Sequence, residues 1–188
     1  LTKRSDKEQK DYINTIVAGF SILGVVVCSV AFVSAPAILV FLFPQFVEGG
    51  LMPTVVALTR IMLLQPVMLG FSNILAAITQ SKNRYLLYAI SPLLYNLGII
   101  AGTVLFYPVF GIVGLAWGVV FGAIMHAGIQ LPSIIRDGFF HSLPRLRDKA
   151  ALFGTFVVSI PRALALSMNQ ITFVGLTVLA GSLSAGSI

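Results

Sequence analysis

One cysteine, two histidines and six acidic residues are all that this 188-residue sequence offers toward redox, metal or acid–base chemistry. Cys28 stands alone, so no disulfide can close within the chain, and CxxC metal or redox motifs are absent. His126 and His141 lie far apart in sequence, and neither belongs to an HExxH-type pair. With no cluster of nucleophile, acid–base or metal-ligand residues, a catalytic site, a bound metal and a cofactor are all unexpected. Charge is scarce as well, at 10% of residues, and no acidic residue falls inside any long apolar run. That absence excludes an ion pair inside a membrane between a deep cation and a carboxylate of this chain.

What the sequence does have is apolar length. It is 57% hydrophobic, with a mean hydropathy of +0.98. A chain of this size cannot hide that much apolar surface in its own core and must use lipid as solvent. Five stretches reach the roughly 20 residues that a helix needs to cross a bilayer. They run over about 13–43, 52–80, 85–107, 111–135 and 150–180. Unpaired backbone groups are not tolerated in hydrocarbon, so helices are the default, and the alternation of barrel strands is missing. The expectation is an all-α integral membrane protein, a polytopic helical bundle. A polar segment, 1–12, precedes it, and 181–188 reads as the approach to a further helix. The chain begins at Leu1 and stops at Ile188 within an apolar stretch, as expected of a piece of a longer protein.

The net charge of +6 is distributed in a telling way. Ten of the twelve basic residues lie before span one, between spans two and three, or between spans four and five. The opposite loops, near Glu48 and Pro108, carry none. The positive-inside rule therefore puts the N-terminus in the cytoplasm, with spans one, three and five running outward. No nucleic acid is needed to explain the basic charge.

Within the spans, Gly114, Gly118 and Gly122 recur every four residues with His126 next, and span three carries Gly98 and Gly102. Small residues at that spacing let helix backbones meet in a membrane. Span one shows Ser21, Gly24, Cys28, Ala31 and Ala35 along one side, read in the same way. His126 is expected to be a hydrogen-bonded interfacial residue. Pro36, Pro66, Pro92 and Pro161 each remove a backbone donor, which suits a bundle that encloses a cavity or changes shape.

The two remaining cations lie within the spans, Arg162 near mid-membrane and Arg60 toward the outer end of its helix. Arg162 lies about 18 Å into the fifth span at 1.5 Å per residue, where a charge costs roughly 2.5–3.5 kcal/mol on insertion scales. Thr155, Ser159, Arg162 and Asn169 share one helix face, and a polar stripe on an apolar helix points to a bundle interior or to water. Span two carries Thr59, Pro66, Asn73 and Gln80 at a strict interval of seven, with Arg60 one residue off that line. Arg60 either snorkels to the outer headgroups or has a functional role. Arg162 either lines a hydrophilic cavity or contacts carbonyls freed near Pro161. Without a carboxylate partner, a deep arginine favours an anionic ligand. Depth and face together make Arg162, Asn169, Ser159, Arg60 and Asn73 the candidate substrate-binding residues.

Several segments resemble one family. LTRIMLLQPVMLGFSNILAAITQSKNRY is similar to its fourth helix and following turn, SPLLYNLGIIAG to its fifth, and GIVGLAWGVVFGAIMHAGIQLPSIIRDGF to its sixth. SIPRALALSMNQITFVGLTVLAGSLSAGSI is similar to the seventh and the approach to the eighth. The family is that of the MurJ/MviN lipid II flippases, in the superfamily of multidrug, oligosaccharidyl-lipid and polysaccharide exporters. The GLAWGVVFGA…QLP block and the Pro–Asn pair of SPLLYN are its most specific parts.

The resemblance implies that the five spans are helices three to seven of a two-lobe, fourteen-helix transporter in the bacterial cytoplasmic membrane. It implies alternating access around a cationic cavity that holds lipid II, the undecaprenyl-diphosphate-linked disaccharide-pentapeptide, by its diphosphate. Partners would be lipid II, membrane lipid and a coupling ion. The arginines best associated with flipping lie on family helices outside this sequence. Arg162 matches the PR pair of some members, and Arg60 a TRI position. The alternative is an exporter of another polyprenyl-linked glycan or of drugs. A cation-drug exporter would be expected to carry buried Asp or Glu, and the spans have neither.

The charge distribution makes a testable statement about topology. In a Cys28→Ser background, cysteines at Glu48 and Val109 should react with an impermeant thiol reagent added to intact cells, and one at Asn83 should not. Labelling of the Asn83 site from outside would reverse the orientation.

Overall fold

A computed structural model describes residues 6–139 and 149–181, and it is helical with no strand among them. Lys3, Arg4, His141, Arg145, Arg147 and, beyond Gly181, the approach expected at 181–188 lie outside those residues. The first span is one helix, α1 (Asp6–Leu42), so the polar segment expected before it is already helical from Asp6. A single turn, α2 (Gln45–Glu48), follows Pro44. The second span is split into α3 (Met52–Met62) and α4 (Leu64–Ser81). The third comprises α5 (Tyr85–Ala101), a π-helical turn (Gly102–Phe106) and α6 (Tyr107–Phe110). The fourth is α7 (Ile112–Gly128) with α8 (Leu131–Arg136), and the fifth is α9 (Lys149–Gly181). Five helices or helix pairs are long and apolar enough to cross a membrane.

Proline explains where the helices are interrupted. A proline has no N–H for the carbonyl four residues earlier, so that carbonyl loses its donor. Pro66 does this to Met62, and α3 ends at Met62. Pro132 does it to Gly128, and α7 ends at Gly128. Pro108 does it to Val104, and Val104 lies in the π-helical turn, where the ladder widens. Pro36, Pro92 and Pro161 sit inside uninterrupted helices.

α7 is the centre of the bundle. It packs on α3, α4, α5, the π-helical turn and α8. Its glycine row meets the third span backbone to backbone: a Cβ added to Gly118 would stand 2.5 Å from Gly102 Cα, and one on Gly98 would run into the Gly122 backbone. A Cβ on Gly114 would strike the Phe106 backbone. These pairs are symmetric about residue 110, as an antiparallel hairpin requires. Gly111 makes its turn with φ 59, a conformation that L side chains resist.

α1 packs on α3 and α4, and α9 rests on α1. At one end of the bundle Ile13, Val17, Leu75, Ile78, Ile134 and Phe139 form an apolar cluster joining α1, α4 and α8. The small-residue face expected on α1 is only partly a contact. Ala35 is buried, but Gly24 has nothing within 4 Å. The close approach on α1 falls instead at Gly19, against the Leu152 side chain of α9. No residue in the most apolar stretch of α9 is buried.

Gly118→Leu should therefore push α7 off the third span. Overpacking costs about 1–3 kcal/mol, and a backbone-to-backbone contact puts this change at the upper end. The folded yield in detergent should fall, while Ile100→Leu, on the 58% exposed side of α5, should behave like the parent. Equal yields and thermal midpoints for all three proteins would mean the glycine row is not a contact.

Candidate functional site

One row of the second span carries polar groups that tie it to its neighbours inside the bundle. Gln65, Ser72 and Thr79 recur every seven residues on α4, and each reaches across to another helix. Gln65 Nε2 donates to the Tyr95 hydroxyl on α5 at 2.8 Å. Ser72 Oγ lies 2.5 Å from His126 Nδ1 on α7. Thr79 Oγ1 donates to the Ala76 carbonyl at 2.9 Å and, at 3.4 Å, to Gln130 Oε1. Gln130, in the turn between α7 and α8, donates from Nε2 to Ser72 Oγ at 3.1 Å and to the His126 carbonyl at 3.0 Å. Ser72 and Gln130 are 0% exposed and Thr79 1%.

Satisfied buried amides and hydroxyls of this kind hold helices in one register. With Ser72 Oγ accepting from Gln130, the simplest donor count sends the serine proton to Nδ1 and leaves the ring proton on Nε2. His126 is thus the hydrogen-bonded interfacial residue expected of it. The row of Thr59, Pro66, Asn73 and Gln80 lies one residue over. Pro66, Asn73 and Gln80 are exposed and Thr59 half-buried. The polar seam of the bundle is the row that starts at Gln65, and both rows have the same spacing, so periodicity could not separate them.

Arg60, on α3, is tied to α1. Its Nε donates to the Phe32 carbonyl at 3.2 Å, and its guanidinium lies 4.6 Å from the centroid of the Phe32 ring. Phe32 is four residues before Pro36, so its carbonyl is the one that Pro36 deprives of a donor. Arg60 supplies that donor across the helix pair and adds a cation–π contact. The sequence held the signal, a proline four residues after an acceptor, but not the pairing of α1 with α3.

Ser159, Arg162 and Asn169 are all exposed on α9. The lower end of their stripe turns to α1, where Thr155 Oγ1 lies 3.0 Å from the Tyr12 hydroxyl. Ser159 Oγ donates to the Thr155 carbonyl of its own helix at 2.7 Å, a local bond that needs no tertiary partner. Arg162 has no hydrogen bond or ion pair to any described residue. Asn73 is exposed on α4, so the structure does not bring the five candidates into one cluster. Arg60 stands with α1 and α7, and Arg162, Ser159 and Asn169 stand together on α9.

The described basic residues of the loops gather at one end. Arg84 donates to the Ser133 carbonyl at 3.1 Å and to the Ser133 hydroxyl, and forms a 2.8 Å ion pair with Asp137. This clamp joins the turn before α5 to the end of α8. Lys10 and Lys82 line a cavity of about 140 Å³ beside Asp137.

Five apolar helical spans, a glycine-packed hairpin and a satisfied polar seam define a multi-pass, all-α membrane protein. A family model described as "Lipid II flippase MurJ" matches residues 1–188. The chain belongs to the MurJ family. It is also similar to a probable lipid II flippase MurJ of Buchnera aphidicola subsp. Acyrthosiphon pisum (strain APS), 26% identical over 191 residues. That match covers 98% of this chain and 37% of the relative, so the chain spans little more than a third of the relative's length.

The pairing of Arg60 with the carbonyl freed by Pro36 makes a double-mutant prediction. Arg60→Ala alone should destabilise the bundle by about 1–3 kcal/mol, the cost of an acceptor left unsatisfied in hydrocarbon. In a Pro36→Ala background the helix supplies its own donor, and most of that cost should vanish. Equal losses in both backgrounds, by thermal unfolding in detergent, would separate Arg60 from the proline.

Proposed function

We propose that this chain is the portion of a lipid II flippase that forms one wall of the transport route. It moves the lipid-linked peptidoglycan precursor across the bacterial cytoplasmic membrane by alternating access, with no covalent chemistry. The observation that carries this reading is the family match over all 188 residues. The helix face of Ser159, Arg162 and Asn169 gives it a chemical basis. It is polar, it sits within an apolar helix, and the bundle leaves it open. An arginine without a carboxylate beside it suits a diphosphate, which its planar fork can hold by charge-assisted hydrogen bonds. The basic end of the bundle, with Lys10, Lys82, Arg84 and Arg136, faces the cytoplasm in this reading. Substrate would then enter from the side on which the precursor is made. Asn73 on the outside of α4 faces whatever covers that helix in the whole protein.

The test is complementation of a flippase-depleted strain by the full-length protein, with membrane abundance followed by blot. Arg162→Ala should insert and accumulate normally, because no carboxylate is stranded by its loss. Transport should fall by at least about tenfold, since a hydrogen bond to a charged group is worth ~1.5–3 kcal/mol. Arg162→Lys keeps the charge without the fork and should retain part of the activity. Full rescue by Arg162→Ala at normal abundance would remove the arginine from the substrate route. Loss of the protein itself would assign it to holding the helix near Pro161.

A further inference from the structure

We propose that the groove between α1, the α3–α4 break and α7 binds one phospholipid of the bilayer, its phosphate on Arg60 and an acyl chain along the apolar floor. The groove holds about 470 Å³, within the ~300–1,000 Å³ of ordinary small-molecule sites. Its walls are apolar, formed by residues such as Val25, Val33, Leu64, Val67, Trp117 and Ile124, and Arg60 is its one charged lining residue. Val33 and Val25, at 76% and 53% exposed, leave its rim open to the surroundings.

The arginine is pre-set for an anion. Nε is spent on the Phe32 carbonyl and one face of the guanidinium lies on the Phe32 ring. The two terminal nitrogens make no hydrogen bond or ion pair to any described residue. Those are the donors a phosphate oxygen pair needs, and a guanidinium held at its Nε loses little further freedom on binding. Depth agrees with a headgroup. The second span has 30 residues, about 45 Å of helix at 1.5 Å per residue, against a hydrocarbon core of ~30 Å. The excess is shared between both ends. Arg60, eight residues from Met52, then lies only a few ångströms inside the apolar edge, within its own side chain's reach of the phosphate level. The floor calls for an apolar chain and the cation for an anion. A phospholipid satisfies both.

Trp117 is the single tryptophan of the chain and lines the groove, so it can report occupancy. The full-length protein is placed in phosphatidylcholine nanodiscs with increasing fractions of phosphatidylglycerol brominated on its acyl chains. The Trp117 signal is the difference between the parent and Trp117→Phe. Quenching should saturate at a bromolipid fraction about tenfold lower than for brominated phosphatidylcholine, a preference of about 1.4 kcal/mol. Arg60→Gln can still donate to the Phe32 carbonyl but is neutral, and it should abolish that preference. Val67→Phe fills the groove with Arg60 intact, and it should abolish it too.

Quenching that rises in simple proportion to bromolipid, alike in the parent and both variants, would overturn the proposal. So would a Trp117 that neither lipid quenches, since protein then covers the groove. Relief of the saturable quenching by an equimolar polyprenyl diphosphate would assign the site to transported substrate and equally overturn a bilayer phospholipid.

Discussion

Two helix backbones lie against each other with no side chain between them, and the rest of the bundle is arranged around that contact. Water provides no hydrophobic drive between helices in lipid, so association depends on close packing and a few polar bonds. Gly98 against Gly122 and Gly102 against Gly118 bring the third and fourth spans to backbone contact. This fixes α7 at the centre, and α7 and the turn after it present His126 and Gln130 to α4. A larger side chain at any of these four positions would move the helix that carries the polar seam.

The second constraint is that hydrocarbon offers no hydrogen-bond partners to a freed carbonyl. The prolines create such carbonyls, and the structure answers them in different ways. The helix ends at Met62 and Gly128, widens at Val104, and at Phe32 borrows a donor from Arg60 on the next span. Arg60 thereby becomes a tie between α1 and α3 and the charged member of a lateral groove. Arg162, next to Pro161, makes no such bond to the described residues. The two arginines within the spans look alike in sequence and differ in what surrounds them.

Five spans, their helical nature and the glycine row were all legible in the sequence. Each depends on local quantities: apolar length against bilayer thickness, turn residues between runs, and spacing along one helix. The heptad row on the second span was read one residue away from the buried one. Asn73 and Gln80 are more polar than Ser72 and Thr79, and polarity by itself singled them out. In the seam itself the small hydroxyls of Ser72 and Thr79 leave room for His126 and for the buried Gln130 amide from the other side.

By itself, then, the sequence determined that this is a polytopic helical membrane protein, which residues let helices touch, and which carbonyls lose their donors. These follow from chain length, residue size and the absent N–H of proline, and all act within one helix. Only the tertiary structure decided which polar row is buried, that Arg60 answers Pro36 across 24 residues of chain, and that α9 stands on α1 with its cationic face open. Those outcomes depend on which helices become neighbours and in what rotation. No periodicity within a single helix carries that information.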